Sequence, residues 1–256
     1  MKKCVTEVYG IPMNPVHTVR RGARGAGGPV RRDGAGPVDY EFWADVWATG
    51  RTAFHQPEVH GALKAHADRF LRRLEETVLV PLCGKSVDLP WLAAQGHHVI
   101  GVEMVEQAVS TFFASQGLQP VSSPHGAGTR FEAGRISVLH GDVFEMVRVP
   151  MPRPVTAIWD RAALVALPPA RRTEYVARVL RAVAVPGARI LLNVFECDPA
   201  EIPGPPFSIS VSEVESLFQG CRLELLSTED GTRFVHRPDR PVSRFDIQTW
   251  LVELPA

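Results

Sequence analysis

The sequence has no Cys-x-x-Cys pair and no His-Glu-x-x-His stretch. Its four cysteines, Cys4, Cys83, Cys197 and Cys221, are scattered through 256 residues. This scatter argues against a disulfide framework or a zinc site, and fits reduced thiols in a cytosolic protein. His60, His66 and the His97-His98 pair then read as residues of solvated faces, and no metal is expected. No run approaches the roughly 18 apolar residues that span a bilayer. Lys2 and Lys3 are followed by no apolar core, so the N-terminus does not read as a secretory signal. The formal net charge is zero, which gives the whole molecule no electrostatic reason to seek DNA or anionic lipid.

Two nucleotide signatures are also missing. Gly84-Lys85-Ser86 looks like the end of a phosphate-binding loop. The position that must be the opening glycine of that loop is Leu79, inside an apolar run, so the phosphate nest has no opening. Gly-x-Gly-x-x-Gly is absent as well, and the turn after the first strand-like run holds one glycine, Gly84. A pyrophosphate would lack its close-packed backbone cradle there.

What is present divides into two parts. Residues 1–38 carry seven Lys and Arg against Glu7 and Asp33, and 20–38 read RRGARGAGGPVRRDGAGPV. Nothing in that run is apolar enough to bury, so a disordered extension is expected. Weak RNA contact through the arginines is the alternative, disfavoured because no aromatic residue stands between them. From residue 39 to 256 a single folded domain is expected. Phe42, Trp43, Val46 and Trp47 recur at helical spacing, and residues 60–74 predict a helix with Leu63, Ala67, Phe70, Leu71 and Leu74 on one face. Strand-like and helical runs then alternate: strands at 77–82, 97–103, 135–144, from 155, and 188–196, with helices between. The run 171–183 predicts a helix stopped by Gly187, and CRLELLST with RFDIQTWLVEL predicts a closing antiparallel hairpin. This alternation means an α/β fold with a mostly parallel sheet and helices on both faces. Ligands of such sheets sit outside the carboxyl ends of the strands.

Chemistry-bearing residues collect at those ends. Glu103 closes the second strand about 20 residues past the glycine turn, where a carboxylate accepts hydrogen bonds from ribose hydroxyls. That arrangement serves NAD, FAD or S-adenosylmethionine, and the missing glycines lean away from the dinucleotides. Asp142 ends the third strand beside Val143. It reads equally as an adenine contact or as a helix cap.

Taken together, FWADVWATGRTAFHQ, VLVPLCGKSVDLPWLAAQGHHVIGVE, AIWDRAALVALPP and GPPFSIS resemble the thiopurine S-methyltransferase family. The likeness runs from about Tyr40 to Phe218. It implies a Rossmann-like class I methyltransferase fold with N-terminal lid helices, S-adenosylmethionine as cofactor, and small aromatic or heterocyclic thiols as acceptors. Relatives that methylate selenium, tellurium, thiocyanate or halide make these soft acceptors the alternative, and a catalytically silent cofactor-binding module is a third reading. The resemblance assigns cofactor contacts to Trp43, Trp47, Phe54, Leu82, Glu103, Asp142, Val143 and Arg161, and substrate contacts to Phe54 and Arg161. Arg161 is expected to steady the acceptor thiolate while Asp160 orients it or relays a proton. A structural ion pair or cap at a helix start is the plainer reading of that pair. The family's further substrate-facing arginine falls among Arg233, Arg237 and Arg240. A cytoplasmic monomer acting on a small molecule is expected.

Overall fold

The computed structural model describes residues 39–235 and 242–256. The Gly/Arg-rich segment 1–38, Arg237 and Arg240 lie outside the described residues.

Helix α1 (Tyr40–Ala48) begins at Asp39, whose carboxylate accepts the Phe42 N–H at 3.2 Å. Helix α2 (Gly61–Phe70) is shorter than expected. Leu71 is already extended, and the Glu76 carboxylate takes the N–H groups of Arg72 and Arg73, drawing the chain into a bend. Leu74, expected on the buried face, is therefore 97% exposed.

The sheet then begins with β1 (Thr77–Pro81), followed by α3 (Asp88–Ala94), β2 (His98–Glu103), α4 (Glu106–Ser115), β3 (Val121–His125), β4 (Gly128–Ala133) and β5 (Ile136–His140). The second half runs α5 (Val143–Met146), β6 (Val155–Arg161), α6 (Ala163–Ala166), α7 (Pro169–Tyr175), β7 (Ala184–Cys197), α8 (Val211–Leu217), β8 (Arg222–Asp230) and β9 (Phe245–Glu253). Residues 176–181 continue α7 as a wider π-helical turn. The helix thus ends before Gly187, which lies inside β7 at a φ of 72°.

The nine strands form one sheet in the order β3-β4-β5-β2-β1-β6-β7-β9-β8. The central strands β5, β2, β1, β6 and β7 are parallel, and antiparallel strands flank both sides. The closing hairpin is present, with β9 inserted antiparallel between β7 and β8. The β3–β4 hairpin on the other edge was not expected from the sequence.

Both faces of the sheet are covered. Val78 and Val80 of β1 pack on the side of Leu63, Phe70, Leu92 and Phe112, whereas Leu79 faces Tyr175, Val179 and Phe218 on the other. This alternation follows from the two-residue period of a strand, and each such side chain contributes roughly 1.5–3 kcal/mol when buried. From β1 the chain steps outward to β2 and β5, then returns to β6 and β7 on the opposite side of β1. That reversal opens a crevice at the carboxyl ends of β1 and β6. Among the described residues, no helix is long and apolar enough to cross a membrane.

Candidate active site

The crevice holds a cavity with about 1070 Å³ of empty space, part of it continuous with solvent. Its floor is built by two tight exits from strands. After β1, Leu82 has φ 50° and Gly84 φ 53°; after β6, Ala162 has φ 61°. Leu82 and Ala162 are the non-glycine residues with positive φ among the described residues, and both line this cavity. A left-handed conformation costs a non-glycine residue about 1–2 kcal/mol. Strain of this kind collects at ligand sites because the surrounding fold must hold it in place.

Glu103 ties the floor together. One carboxylate oxygen accepts the Gly84 N–H at 2.9 Å and the other accepts the Val105 N–H at 2.8 Å. Burial pushes the Glu103 carboxyl up, and N–H groups from Val105, Gly84 and Met104 oppose that push. The two oxygens offer more lone-pair sites than these backbone N–H groups occupy, and Glu103 lines the cavity. The carboxylate can therefore accept ligand hydroxyls without losing its anchors.

Cys83 sits beneath this turn. Its thiol is pushed well up by burial and then by the charge of Glu103. A Cβ on Gly101 would come within 2.6 Å of Cys83 Sγ, so the sulfur fills the space that glycine leaves. Cys83 is a packing residue and not a nucleophile.

The outer wall is aromatic. Trp47 is buried against Val105 and Ala108, which fixes α1 onto α4. Trp43 meets Phe54 edge to face, ring centres 6.0 Å apart. Lys85 Nζ lies 5.8 Å from the Trp47 ring centre, a cation–π contact rather than a phosphate site. Trp43, Trp47, Phe54, Leu82, Glu103 and Arg161 all line the one cavity. The sequence motifs, far apart in the chain, converge there.

Several expected site residues do not join them. Asp160 is fully buried and absent from the cavity wall. One of its oxygens accepts the Ala163 and Leu164 N–H groups at 3.1 Å each, and the other accepts the Tyr175 hydroxyl at 2.8 Å. Burial raises its carboxyl to about 6, against the pull of those three donors. These contacts match the structural reading of Asp160 at a helix start. Asp142 likewise caps α5, accepting the Phe144 N–H at 2.8 Å, and Val143 packs into the core beneath it. Arg233 stacks its guanidinium on its neighbour Phe234 at 4.6 Å, away from the cavity wall.

One cavity residue was not singled out from the sequence. His55 packs between Trp47 and Phe54, with ring centres 5.2 and 4.7 Å away. Burial, then the nearby charges of Arg161 and Lys85, lowers its pKa to about 3. Its place beside Phe54 in TAFHQ was the available signal. Gly84, Lys85 and Arg161, which also surround it, come from distant parts of the chain.

The family model described as thiopurine S-methyltransferase matches residues 38–253. A thiopurine S-methyltransferase of Photobacterium profundum is 37% identical over 217 residues, covering 85% of this chain and 100% of the relative. One from Xanthomonas campestris pv. campestris is 44% identical over 181 residues, covering 71% of this chain and 82% of the relative. Among solved structures, the Burkholderia thailandensis 1,6-didemethyltoxoflavin-N1-methyltransferase with bound 1,6-didemethyltoxoflavin and S-adenosylhomocysteine superposes with a TM-score of 0.57. It shares 17% identity, over 90% of this chain and 94% of that one, and so speaks for the fold alone.

Proposed function

Because the chain belongs to the thiopurine S-methyltransferase family, whose members are S-adenosylmethionine-dependent methyltransferases, we propose that it methylates the sulfur of small aromatic or heterocyclic thiols. The observation that carries this reading is Glu103, braced by Gly84 and Val105 at the edge of a cavity walled by Trp43, Trp47 and Phe54. A carboxylate with spare lone pairs fits ribose hydroxyls. The single-glycine turn offers no cradle for phosphates, and the aromatic faces suit a sulfonium by cation–π attraction of roughly 0.5–2 kcal/mol each. The residues present therefore fit S-adenosylmethionine.

When bound, S-adenosylmethionine supplies an electrophilic methyl group on a positively charged sulfur. Glu103 and the Leu82–Gly84 turn hold the donor. Trp43 and Trp47 cover it and keep water out, which favours a step in which opposite charges are annihilated. Phe54 meets donor and acceptor together. Arg161, at the end of β6, faces the cavity and steadies an anionic sulfur. Asp160 acts behind it as a positioning residue, since its carboxylate fixes the turn of Ala162–Leu164 from which Arg161 leads. Holding the two reactants in line is the main contribution of such a site, worth up to about 7–11 kcal/mol for well-oriented partners. Transfer of a labelled methyl group to benzenethiol or 6-mercaptopurine, with thiocyanate, iodide and selenite as the competing acceptors, tests this reading. It fails if only the inorganic ions are methylated.

A further inference from the structure

The cavity runs well past its donor end. Its wall includes Glu103 at the end of β2, Arg161 of β6, Phe195 of β7 and Phe245 of β9. In the sheet, β1 and β6 lie between β2 and β7, and β9 lies beyond β7. Neighbouring strands are spaced about 4.8 Å apart, so the strand of Phe195 runs about 14 Å from the strand of Glu103. Phe245 is one strand farther, and Arg161 falls between. A donor held by its ribose at Glu103, with the acceptor sulfur at Arg161, leaves the stretch from Arg161 to the two phenylalanines for the rest of the acceptor.

That far end is rigid. The Phe195 and Phe245 rings are buried against each other, their centres 5.2 Å apart and their planes tilted by 33°. Phe245 has no room to retreat, because Gly231 lies against its ring and a Cβ there would come within 2.8 Å of Phe245 Cδ1. The Gly231 N–H also donates to the Phe245 carbonyl at 2.7 Å, and the Ile209 N–H to the Phe195 carbonyl at 2.8 Å. Val165, which lines the cavity too, accepts the Phe207 N–H at 2.7 Å and so fixes the Pro205–Pro206 stretch of the wall. A close-packed wall of this kind yields poorly to extra methyl groups.

We propose that the Phe195–Phe245 pair is the end wall of the acceptor lobe and limits how far an acceptor reaches along the axis of its carbon–sulfur bond. Arenethiols with a bulky group opposite the sulfur are rejected, and compact rings are accepted. This rests on the thiol-methylation reading given above and adds a rule of shape to it. Arg161 responds to the charge that every thiolate carries, whereas the pair responds to what lies at the other end of the ring. An apolar wall discriminates by fit, roughly 10–200-fold for a misfit of one methylene.

The test compares kcat/KM for 4-tert-butylbenzenethiol with that for benzenethiol, which differ in the group opposite the sulfur. The wild-type protein prefers benzenethiol. In Phe245→Leu, which shortens the wall and keeps an apolar side chain beside Gly231, the ratio moves at least about tenfold toward the bulky thiol. Phe195→Leu moves it in the same direction and serves as the second variant should the first fold poorly. Both variants keep their affinity for S-adenosylhomocysteine in calorimetric titration, because the pair stands across the sheet from Glu103. A wild-type protein that takes the bulky thiol as readily as benzenethiol, or a ratio unchanged in both variants, overturns the assignment. Loss of S-adenosylhomocysteine affinity in both variants overturns it too, placing the pair on the donor. A wild-type protein that binds S-adenosylhomocysteine but methylates neither thiol removes the thiol reading itself, and the role of the wall with it.

Discussion

Glu103 Oε2 accepts the backbone N–H of Gly84 at 2.9 Å, across 19 residues of chain. The end of β2 is thus locked to the turn after β1, and the carboxylate meets the cavity in one orientation. Glu103→Gln keeps the shape but removes the charge and turns one acceptor into a donor facing a backbone N–H. Affinity for S-adenosylhomocysteine, measured by titration calorimetry, should fall by about 1–3 kcal/mol. Unchanged affinity in a folded variant would take Glu103 out of the donor site.

Gly101 and Cys83 are matched in the same way, by packing. A Cβ at Gly101 would approach Cys83 Sγ to 2.6 Å and Leu89 Cδ2 to 3.0 Å. Gly101→Ala should lower unfolding stability by about 1–3 kcal/mol, the usual cost of overpacking. Adding Cys83→Ala should return a good part of that loss, since the clashing sulfur is gone. Urea denaturation of both variants checks this, and strictly additive effects would refute the contact.

How much of this was legible in advance follows from where each partner sits. Strands such as Thr77–Pro81 and His98–Glu103 announced themselves as short apolar runs between turn residues, because burial on both faces demands it. The β3–β4 hairpin gave no such signal. Val121–His125 is an edge strand with exposed residues and a proline, and no apolar alternation marks it. Asp142 and Asp160 were placed correctly at strand ends. Which way their carboxylates turn depends on backbone N–H groups that only the folded turn presents. His55 was hidden for a related reason. Its environment is Trp47, Gly84, Lys85 and Arg161, three elements brought together by the reversal of the sheet at β1.

Acid sensitivity should follow from buried titrating groups. His55 is lowered from 6.5 to about 3 and His60 from 6.5 to about 4, in both cases chiefly by burial. Between those limits the unfolded chain binds protons that the folded one refuses, so the stability present above about pH 6.5 is lost on acidification. Asp160 opposes this. Its carboxyl is raised from 3.8 to about 6, so the folded state takes up that proton first and gains stability as pH falls. Glu103, also pushed up by burial, opposes the loss as Asp160 does, and His97, lowered by burial, adds to it. Asp160→Asn removes one opposing group and should steepen the loss of stability in urea unfolding by about 1.4 kcal/mol per pH unit between about pH 6 and 4. The same slope in the variant would contradict the assignment.

Ala162 sits at φ 61° in the turn that carries Arg161. Glycine adopts that conformation freely, so Ala162→Gly should hold or raise stability by up to about 1 kcal/mol, with its backbone entropy offsetting part of the relief. Ala162→Val, with a branched side chain that rarely tolerates positive φ, should lower it by more than about 1 kcal/mol. Thermal unfolding of the pair gives the comparison. A lower midpoint for the glycine variant would show that the turn is not strained.

Thiol methylation itself is tested most directly by incubating the full chain with labelled S-adenosylmethionine and an equimolar mixture of 6-mercaptopurine, benzenethiol, thiocyanate, iodide and selenite, with the products separated and identified by mass spectrometry. Labelled S-methyl thioethers of the two thiols are the expected products, and Arg161→Ala should reduce their formation more than it reduces S-adenosylhomocysteine affinity. Label found only in methylated inorganic ions, or label found nowhere in a protein that binds S-adenosylhomocysteine, would contradict it.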